Sequence, residues 1–405
     1  MGSTSQENTY TLPEARAPTL VLTHPTDTER RRTWTLNHRE WGGALTLEEY
    51  LKREPYLMDV PLSRNGGMTH WILTDSSWSP EKGGDRPVLA SCESIRKRVM
   101  VAAPHDTTVS EGIGHGIGSV FTYPEFRGKG YAGRMLSELG STLRKWQTGD
   151  QGSVCSALWS DIGRHFYAKK GWTAFPSLHI EFPVATNSAG LSEEGEKPRA
   201  NVSLITYDNL EPLCQRDEQL LRKNMLTSAS RTGKTTVAFT PDYDTMCWHL
   251  YRDDYISSIL FKSDSPSPIK GAIAGTKEGR RIWAIWTRNY YGSDPTKTVD
   301  KNTLYILRLV IEPDAEPTEG QPPSADVQEA FAVVIQAALR EAAKWHLGKI
   351  DLWNPTSTTK LLLETSGLEH RWVEREEESI PSIMWYGNED IRDVDWIASE
   401  KYCWC

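Results

Sequence analysis

Residues 120–135 read VFTYPEFRGKGYAGRM, in which a β-strand pattern, a glycine-rich turn and a helix start follow one another directly. Gly128 and Gly130 lack a Cβ atom, so the backbone can turn tightly there and bring successive amide N–H groups to a bound anion. A helix beginning near Tyr131 adds unpaired amides and the positive end of its dipole. We call residues 127–134 the anion loop, and they predict a site for a diphosphate group.

The anion loop carries three basic side chains, Arg127, Lys129 and Arg134, and no acidic one. A glycine-rich turn alone would be weak evidence, because many strand–helix connections contain glycine for packing reasons. Charge, glycines and the strand–helix context together favour a phosphate site over a structural turn.

The pattern around the anion loop predicts alternating strands and helices. Tyr131, Met135, Leu136, Leu139 and Leu143 recur at helical spacing, which predicts an amphipathic helix directly after the loop. The other predicted elements of the first half are strands at 19–23, 69–74, 88–101, 117–122, 154–159 and 178–182 and short helices at 47–57 and 164–170.

The second half of the chain repeats this order. Its predicted elements are strands at 304–310, 349–353, 371–374 and 383–386, a long helix at 327–342 and a short helix at 358–364. The connection before the long helix carries Glu312, Asp314, Glu316 and Glu319 where an anion loop would need glycines and cations. We therefore expect no cofactor site in the second half. Two α/β segments can also share such an order by chance, because this alternation is common.

Chain length favours two domains. The 405 residues exceed one ordinary core and suit two of roughly 200 residues each. Residues 186–200 are polar and rich in Ser, Gly and Glu, which predicts a linker between a domain at 1–185 and a domain at 201–405.

Composition excludes several classes of function. The formal net charge of -8 argues against nucleic acid as a ligand, since phosphate-binding surfaces are usually basic. It mildly favours a cationic small substrate, although so modest a charge most often serves solubility. The six cysteines form no CxxC pair, which predicts no metal site and no disulfide framework and favours the cytoplasm. No apolar run approaches the roughly 18 residues of a membrane span, so no membrane contact is expected.

Arg127, Gly130 and Ala132 match the pattern R/Q-x-x-G-x-G/A, and this stretch resembles the coenzyme A signature of the GNAT acetyltransferase superfamily. The run 161–172, which contains Tyr167, is similar to the superfamily's fourth helix and the turn after it. The resemblance implies an α+β fold of two tandem GNAT-like domains, each a mixed, mostly antiparallel sheet flanked by helices, with the second degenerate. It also implies acetyl-CoA as co-substrate and no metal.

The resemblance assigns roles to individual residues. The strand before the anion loop would pair with the pantetheine arm, and one of its amides would polarise the thioester carbonyl. Tyr167 would lie near the CoA sulfur and act as an acid toward the departing thiolate, with a packing role as the alternative. The implied cofactor-binding residues are Val120, Phe121, Thr122, Arg127, Gly128, Lys129, Gly130, Tyr131, Ala132, Gly133 and Arg134.

More narrowly, the full-length layout and residues 158–167 resemble fungal lysine N6-acetyltransferases of the lysine-catabolic type. That resemblance implies a small-molecule amine, free L-lysine, as the acceptor. Its amine is mostly protonated at pH 7, so a base must take a proton. His115 is the predicted base, with a histidine of no catalytic role as the alternative. Another acceptor (a protein lysine, a polyamine or an aminoglycoside) and a non-catalytic CoA-binding scaffold remain open.

Overall fold

The computed structural model describes residues 11–78, 86–184, 202–262, 267–292, 294–315 and 321–404. The linker predicted at 186–200 lies outside these residues. Within the described ranges, no helix has the length and apolar character needed to cross a bilayer.

The described residues form eight helices and sixteen strands. The helices are α1 Asp27–Trp41, α2 Leu47–Asp59, α3 Tyr131–Leu143, α4 His165–Ala168, α5 Tyr207–Thr232, α6 Tyr243–Leu260, α7 Ala325–Lys344 and α8 Ser357–Ser366. The strands of the first half are β1 Leu20–Thr23, β2 Met68–Asp75, β3 Ala90–Ala102, β4 Ser110–Phe121, β5 Cys155–Ser160, β6 Thr173–Ala174 and β7 Leu178–Pro183. The strands of the second half are β8 Val202–Ile205, β9 Thr235–Phe239, β10 Gly271–Ala274, β11 Ile282–Asn289, β12 Thr303–Ile311, β13 Lys349–Trp353, β14 Arg371–Glu374, β15 Ile380–Trp385 and β16 Val394–Trp396.

Two mixed sheets carry the fold. The first has the order β1-β2-β3-β4-β5-β15-β6, and β9 pairs with the end of β3 and carries β16. The second has the order β8-β10-β11-β12-β13-β7-β14. In each order one pair is parallel, β4 with β5 and β12 with β13, and the other neighbours are antiparallel. The predicted α+β fold with two mixed, mostly antiparallel sheets is confirmed.

Within these two strand orders, each half of the chain contributes one strand to the sheet of the other half. β7, which precedes residue 185, lies between β13 and β14 in the second sheet. In return, β15 lies between β5 and β6 in the first sheet. With this exchange both sheets have the same order of strands. The division into domains at 1–185 and 201–405 stays a prediction. Strands from each side of that boundary lie in the sheet of the other side.

Helix α3 follows the anion loop as the sequence predicts. It begins at Tyr131 after Gly130, whose φ of 87° lies in the left-handed region that glycine adopts readily. Met135, Leu139 and Leu143 are buried in the core on the first sheet. The predicted apolar face is therefore the packed face.

A shared core joins the two sheets. It contains Cys155 and Trp159 from the first sheet and Trp283, Leu307 and Trp353 from the second. All five side chains are buried. Burying one large apolar side chain is worth about 1.5–3 kcal/mol, so these contacts fix one sheet against the other.

Helices α1, α5 and α6 have no counterpart among the predicted elements. In α6, the consecutive residues 245–250 are all buried. A helix covered on every side lacks the single apolar stripe that periodicity detects. This helix matters because it reaches the candidate site.

Candidate active site

Strands β4 and β5 pair in parallel and then separate. Their pairing runs from Gly114 with Cys155 to Ile117 with Leu158 and stops there. From Gly118 onward, the edge of β4 that faced β5 has no partner strand among the described residues. Such a free edge can bond another extended chain.

The pairing of β3 with β4 is irregular at the same point. Glu93 pairs with Gly118 but Ser91 pairs with Phe121, so the register shifts between them. Ser119 lies in this bulge with a φ of 52°, a left-handed conformation that is uncommon for residues other than glycine. Bulges re-aim side chains and are frequent beside active sites. Here Ser119 lines the space opened between β4 and β5.

The separation of the strands opens a main cavity of about 630 Å³. Its size is typical of a small-molecule site. The lining residues are Glu40, Trp41, Ile117, Gly118, Ser119, Val120, Phe121, Thr122, Arg127, Ala132, Leu158, Trp159, Asp161, Ile162, Phe166, Tyr167 and Trp404. The structure thus brings together five predicted cofactor-binding residues, namely Val120, Phe121, Thr122, Arg127 and Ala132, with Tyr167.

The anion loop leaves a run of amides without partners. In the described part of the chain, no backbone carbonyl accepts from the amides of residues 128–133, and the first helical bond runs from the Arg134 amide to the Gly130 carbonyl at 3.0 Å. Gly128 has a φ of 76°, and a Cβ atom placed on it would meet nothing within 4 Å, so this part of the loop faces open space. Unpaired amides at a helix N-terminus are the arrangement that binds phosphate.

The three basic side chains of the loop are not equivalent. Arg127 is exposed and donates from Nε to the Thr122 carbonyl at 3.1 Å, and Lys129 is exposed as well. Arg134 instead forms an ion pair with Glu138 and donates to two backbone carbonyls of the N-terminal segment. Arg127 and Lys129 are therefore available to a ligand, whereas Arg134 is used within the protein.

Tyr131 and Gly133 offer a ligand only their backbone amides. The Tyr131 ring is buried in the core, and its hydroxyl donates to the Pro13 carbonyl at 2.6 Å. A Cβ atom on Gly133 would come within 3.1 Å of Lys170 Nζ. Lys170 thus places beside the start of α3 a cation that the sequence analysis did not single out.

Tyr167 forms part of the wall of the main cavity. Helix α4 carries it, and its ring lies edge-on to Phe166 with 5.2 Å between centroids. Burial, and then the Asp161 carboxylate, raise the pKa of the phenol, so it stays protonated. Among the described residues no group bonds its hydroxyl, which leaves it available as a donor.

His115 lies apart from the other predicted site residues. It is fully buried where β4 and β5 are still paired, opposite Ser156, and it does not line the main cavity. Its Nδ1 lies 3.3 Å from Ser153 Oγ, and burial lowers its pKa to about 4. The cavity opens only two residues further along the strand, so His115 is too deep to meet a substrate there.

A second cavity of about 130 Å³, the inner pocket, adjoins the main cavity. Four residues line both: Glu40, Trp41, Ser119 and Trp404. The other lining residues are Gly42, Gly43, Ala44, Tyr50, Arg53, Glu54, Leu57, Met68, Glu93, Trp248, Arg252, Ile256, Asn289, Tyr290, Tyr291 and Lys401. Both halves of the chain therefore build this pocket.

Glu93 lies in the inner pocket beside the main cavity. Ser119 Oγ donates to Glu93 Oε1 at 2.8 Å, and His70 Nε2 lies 3.5 Å from the other oxygen. Burial, and then the Glu54 carboxylate, raise the pKa of Glu93 to about 7. Burial lowers the pKa of His70 to about 3, so that ring is neutral beside it. A carboxylate with these properties exchanges a proton near neutral pH, as a general base must.

The sequence analysis missed Glu93 and Arg252. The available signal for Glu93 is a carboxylate inside the mostly buried first part of β3, since an acid in such a strand is a functional candidate. Arg252 gives no comparable signal, because its helix was not predicted and its pocket joins distant segments.

No cluster of side chains suited to a metal occurs among the described residues. Five cysteines in the same ranges are buried and free. Burial raises the thiol pKa of Cys92 and Cys155, so neither is a ready thiolate nucleophile. This chemistry favours direct transfer over a cysteine-bound intermediate.

Sequence comparisons identify a family and relatives. The family model described as "LYC1 GNAT-like C-terminal domain" matches residues 179–405. An uncharacterized protein of Saccharomyces cerevisiae, YGR111W, is 26% identical over 328 residues, covering 72% of this chain and 79% of its own length. A lysine acetyltransferase of Yarrowia lipolytica is 23% identical over 421 residues, covering 93% of this chain and 97% of its own.

Two solved structures share the fold. A protein of unknown function from Enterococcus faecalis, described as a probable N-acyltransferase, has a TM-score of 0.50 and 13% identity, over 90% of this chain and 72% of that one. Saccharomyces cerevisiae N-myristoyltransferase with bound myristoyl-CoA has a TM-score of 0.50 and 9% identity, over 92% of this chain and 81% of that one. At these identities the likeness concerns the fold alone.

The family match covers more than half of the chain, and the anion loop carries the GNAT signature in the expected strand–helix context. The chain therefore belongs to the LYC1 GNAT-like family and is a GNAT N-acetyltransferase.

Proposed function

We propose that this enzyme transfers the acetyl group of acetyl-CoA directly to the side-chain amine of free L-lysine and releases N6-acetyllysine. The observation that carries the proposal is the junction of two cavities at Ser119, one reaching the anion loop and the other lined by ionisable groups. The resemblance of residues 158–167 to fungal lysine N6-acetyltransferases supports lysine as acceptor, as does the name of the Yarrowia lipolytica relative.

The residues of the main cavity fit acetyl-CoA. The unpaired amides of residues 128–133 would hold the diphosphate, with Arg127 and Lys129 adding charge. The free edge of β4 at 118–122 would bond the amides of the pantetheine arm, as an added strand does. This arrangement would direct the thioester toward the bulge at Ser119.

Glu93 is the proton acceptor in this proposal. The lysine amine, with a pKa of about 10.4, must lose a proton to become a nucleophile. The Glu93 carboxylate takes it, directly or through the Ser119 hydroxyl to which it is bonded. The amine nitrogen then bonds to the thioester carbonyl carbon, the carbon–sulfur bond breaks, and the second proton of the nitrogen passes to the departing thiolate, which leaves as CoA thiol. We prefer Glu93 to His115, which lies outside both cavities.

Tyr167 supports the departing thiolate. Its pKa is raised, whereas an ordinary thiol has a pKa of about 8.5, so full proton transfer from the phenol would be uphill. Tyr167 therefore stabilises the sulfur by donating a hydrogen bond rather than by giving up its proton.

The inner pocket favours a small acceptor. Its volume of about 130 Å³ has room for roughly ten water molecules, which is the scale of a free amino acid. A role in lysine catabolism in the cytoplasm fits this acceptor. The free, buried cysteines support a reducing compartment, and the two yeast relatives support a fungal enzyme.

The decisive experiment offers the enzyme acetyl-CoA with L-lysine, a polyamine, an aminoglycoside and a lysine-containing peptide together. Mass spectrometry should show N6-acetyllysine as the main product, with equimolar release of CoA thiol. Acetylation of another amine without N6-acetyllysine would assign a different acceptor. Absence of any acetylated product would contradict the proposal altogether.

A further inference from the structure

The charged groups that line the inner pocket are not matched in pairs. Arg53 is bonded to Glu54 at 2.5 Å, Glu93 has its own hydrogen-bond donor in the bulge, and Glu40 is exposed to solvent. Arg252 and Lys401, in contrast, have no carboxylate of the described residues within the 4.0 Å of an ion pair. The pocket therefore holds two basic side chains without an ion-pair partner among the described residues.

Arg252 is fixed in place with donors to spare. It lies on α6 one turn from Trp248 and one turn from Ile256, and all three line the pocket. One terminal nitrogen donates to Asn289 Oδ1 at 2.7 Å, the one side-chain bond that the described residues give this guanidinium. A guanidinium has five N–H donors, so most remain free. Arg252 is half-buried, and a partly desolvated guanidinium without a counter-ion favours an anionic occupant.

Lys401 is the second basic side chain of the pocket without an ion-pair partner among the described residues. Its ammonium lies 3.8 Å from the Trp404 ring centroid and 4.1 Å from that of Trp353. Aromatic faces rather than a carboxylate hold it. Burial, and then Arg252, lower the pKa of its amine. An anion bound beside Arg252 would raise this pKa again and so favour the charged form of Lys401.

The lining of the pocket offers two complementary kinds of chemistry. At the junction with the main cavity lie Glu93 and Ser119, which suit an amine about to lose a proton. Arg252 lines the same pocket with the fork geometry that binds a carboxylate. A molecule with an amine at one end and a carboxylate at the other matches both. We propose that Arg252 binds the α-carboxylate of the acceptor amino acid and thereby selects free lysine over amines without that group. The proposal rests on the function proposed for the enzyme.

The test compares L-lysine with 1,5-diaminopentane, which has the same amine-bearing chain but no carboxylate. Arg252→Gln should lower kcat/KM for L-lysine by about 30-fold or more, mainly through KM. It should leave kcat/KM for 1,5-diaminopentane within about twofold, because that acceptor never contacts the guanidinium. Arg252→Lys should retain part of the preference, since it keeps the charge but loses the fork.

A matched control and a stability measurement complete the design. Arg392 is exposed and pairs with Asp390, so Arg392→Gln should change neither activity. Thermal unfolding of Arg252→Gln should occur at or above the wild-type Tm, because the variant removes a half-buried charge without a counter-ion. Equal loss with both acceptors, or loss with neither, would overturn the carboxylate assignment alone. Failure of the wild type to form N6-acetyllysine would overturn the proposed function and this inference together.

Discussion

The two halves of the chain build the same sheet but end their central strand differently. After β4, the anion loop leaves the amides of residues 128–133 unpaired and open. After β12, the fully buried Glu312 carboxylate accepts from the amides of Gly279 and Arg281 and from the guanidinium groups of Arg281 and Arg216. One half thus keeps donors free for an external anion, and the other satisfies its donors with an anion of its own.

The strand separation is also present twice. β12 and β13 pair as far as Ile306 with Leu352 and then part, as β4 and β5 do after Ile117. The register of β11 with β12 shifts as well, and the residue passed over in that shift, Leu307, is fully buried. In the first half the bulge residue is Ser119, which lines two cavities. The fold alone therefore creates the opening, and side chains decide whether it becomes a site.

The largest effect is expected when the first half is given an internal anion, as the second half has. Gly128→Asp combined with Arg127→Glu puts negative charge where we place the diphosphate, and like charges juxtaposed cost several kcal/mol. Acetyl-CoA affinity, measured by calorimetry, should fall by about 1,000-fold.

The control for this variant is Gly233→Asp. Gly233 ends α5 with a φ of 70° and also has open space around it, so the backbone strain is similar but the site is distant. Unchanged acetyl-CoA affinity in the anion-loop variant, or an equal loss in the control, would refute the assignment of the anion loop as the diphosphate site.

A second prediction concerns the base at the bulge. Glu93→Gln should lower kcat/KM by about 100-fold, because the side chain keeps its shape but cannot accept the proton. In the wild type the carboxylate is protonated below its pKa of about 7, so kcat/KM should fall as pH drops through 7. That inflection should vanish in the variant.

The control is Glu111→Gln, which alters a half-exposed carboxylate on β4 that pairs with Arg98. Its pH profile should match the wild type. An inflection near pH 7 that survives Glu93→Gln would assign the base elsewhere, and His115→Asn would then be the next variant to measure.

The sequence reveals the anion loop and helix α3 because the information is local. Glycines, cations and an apolar stripe all lie within residues 127–143. Glu93 and Arg252 depend on pairing across distant segments, which no local pattern encodes. The exchange of β7 and β15 is likewise invisible, because the residues of a single short strand do not specify which of two similar sheets it joins. His115 shows the same limit of local patterns. Its position on β4 suggests a base near the site, but whether it reaches the cavity depends on the residue at which β5 stops pairing with β4.

A smaller effect is expected at the leaving group. Tyr167→Phe should lower kcat by about 10-fold, the equivalent of one hydrogen bond to a charged group, and leave acetyl-CoA affinity unchanged. Rapid mixing experiments would separate the chemical step from product release. The partner variant Phe166→Leu changes packing without a hydroxyl, and an equal loss of kcat there would reduce Tyr167 to a packing role.

No effect on catalysis is expected when the internal anion of the second half, Glu312, is removed. Glu312→Gln should leave acetyl-CoA affinity unchanged and lower the free energy of unfolding by about 1–3 kcal/mol, because Arg281 and Arg216 lose their shared carboxylate. Its donors hold the pKa of Glu312 at about 2 against an ordinary 4.5, despite its burial. A lowered pKa stabilises the fold above pH 4.5, and that stability is lost as pH falls toward 2, so the two proteins should converge in stability on acidification. Glu278→Gln, which removes an exposed partner of the same Arg216, is the control and should cost little. A Glu312→Gln variant as stable as the wild type at neutral pH would show that the second half does not depend on an anion of its own.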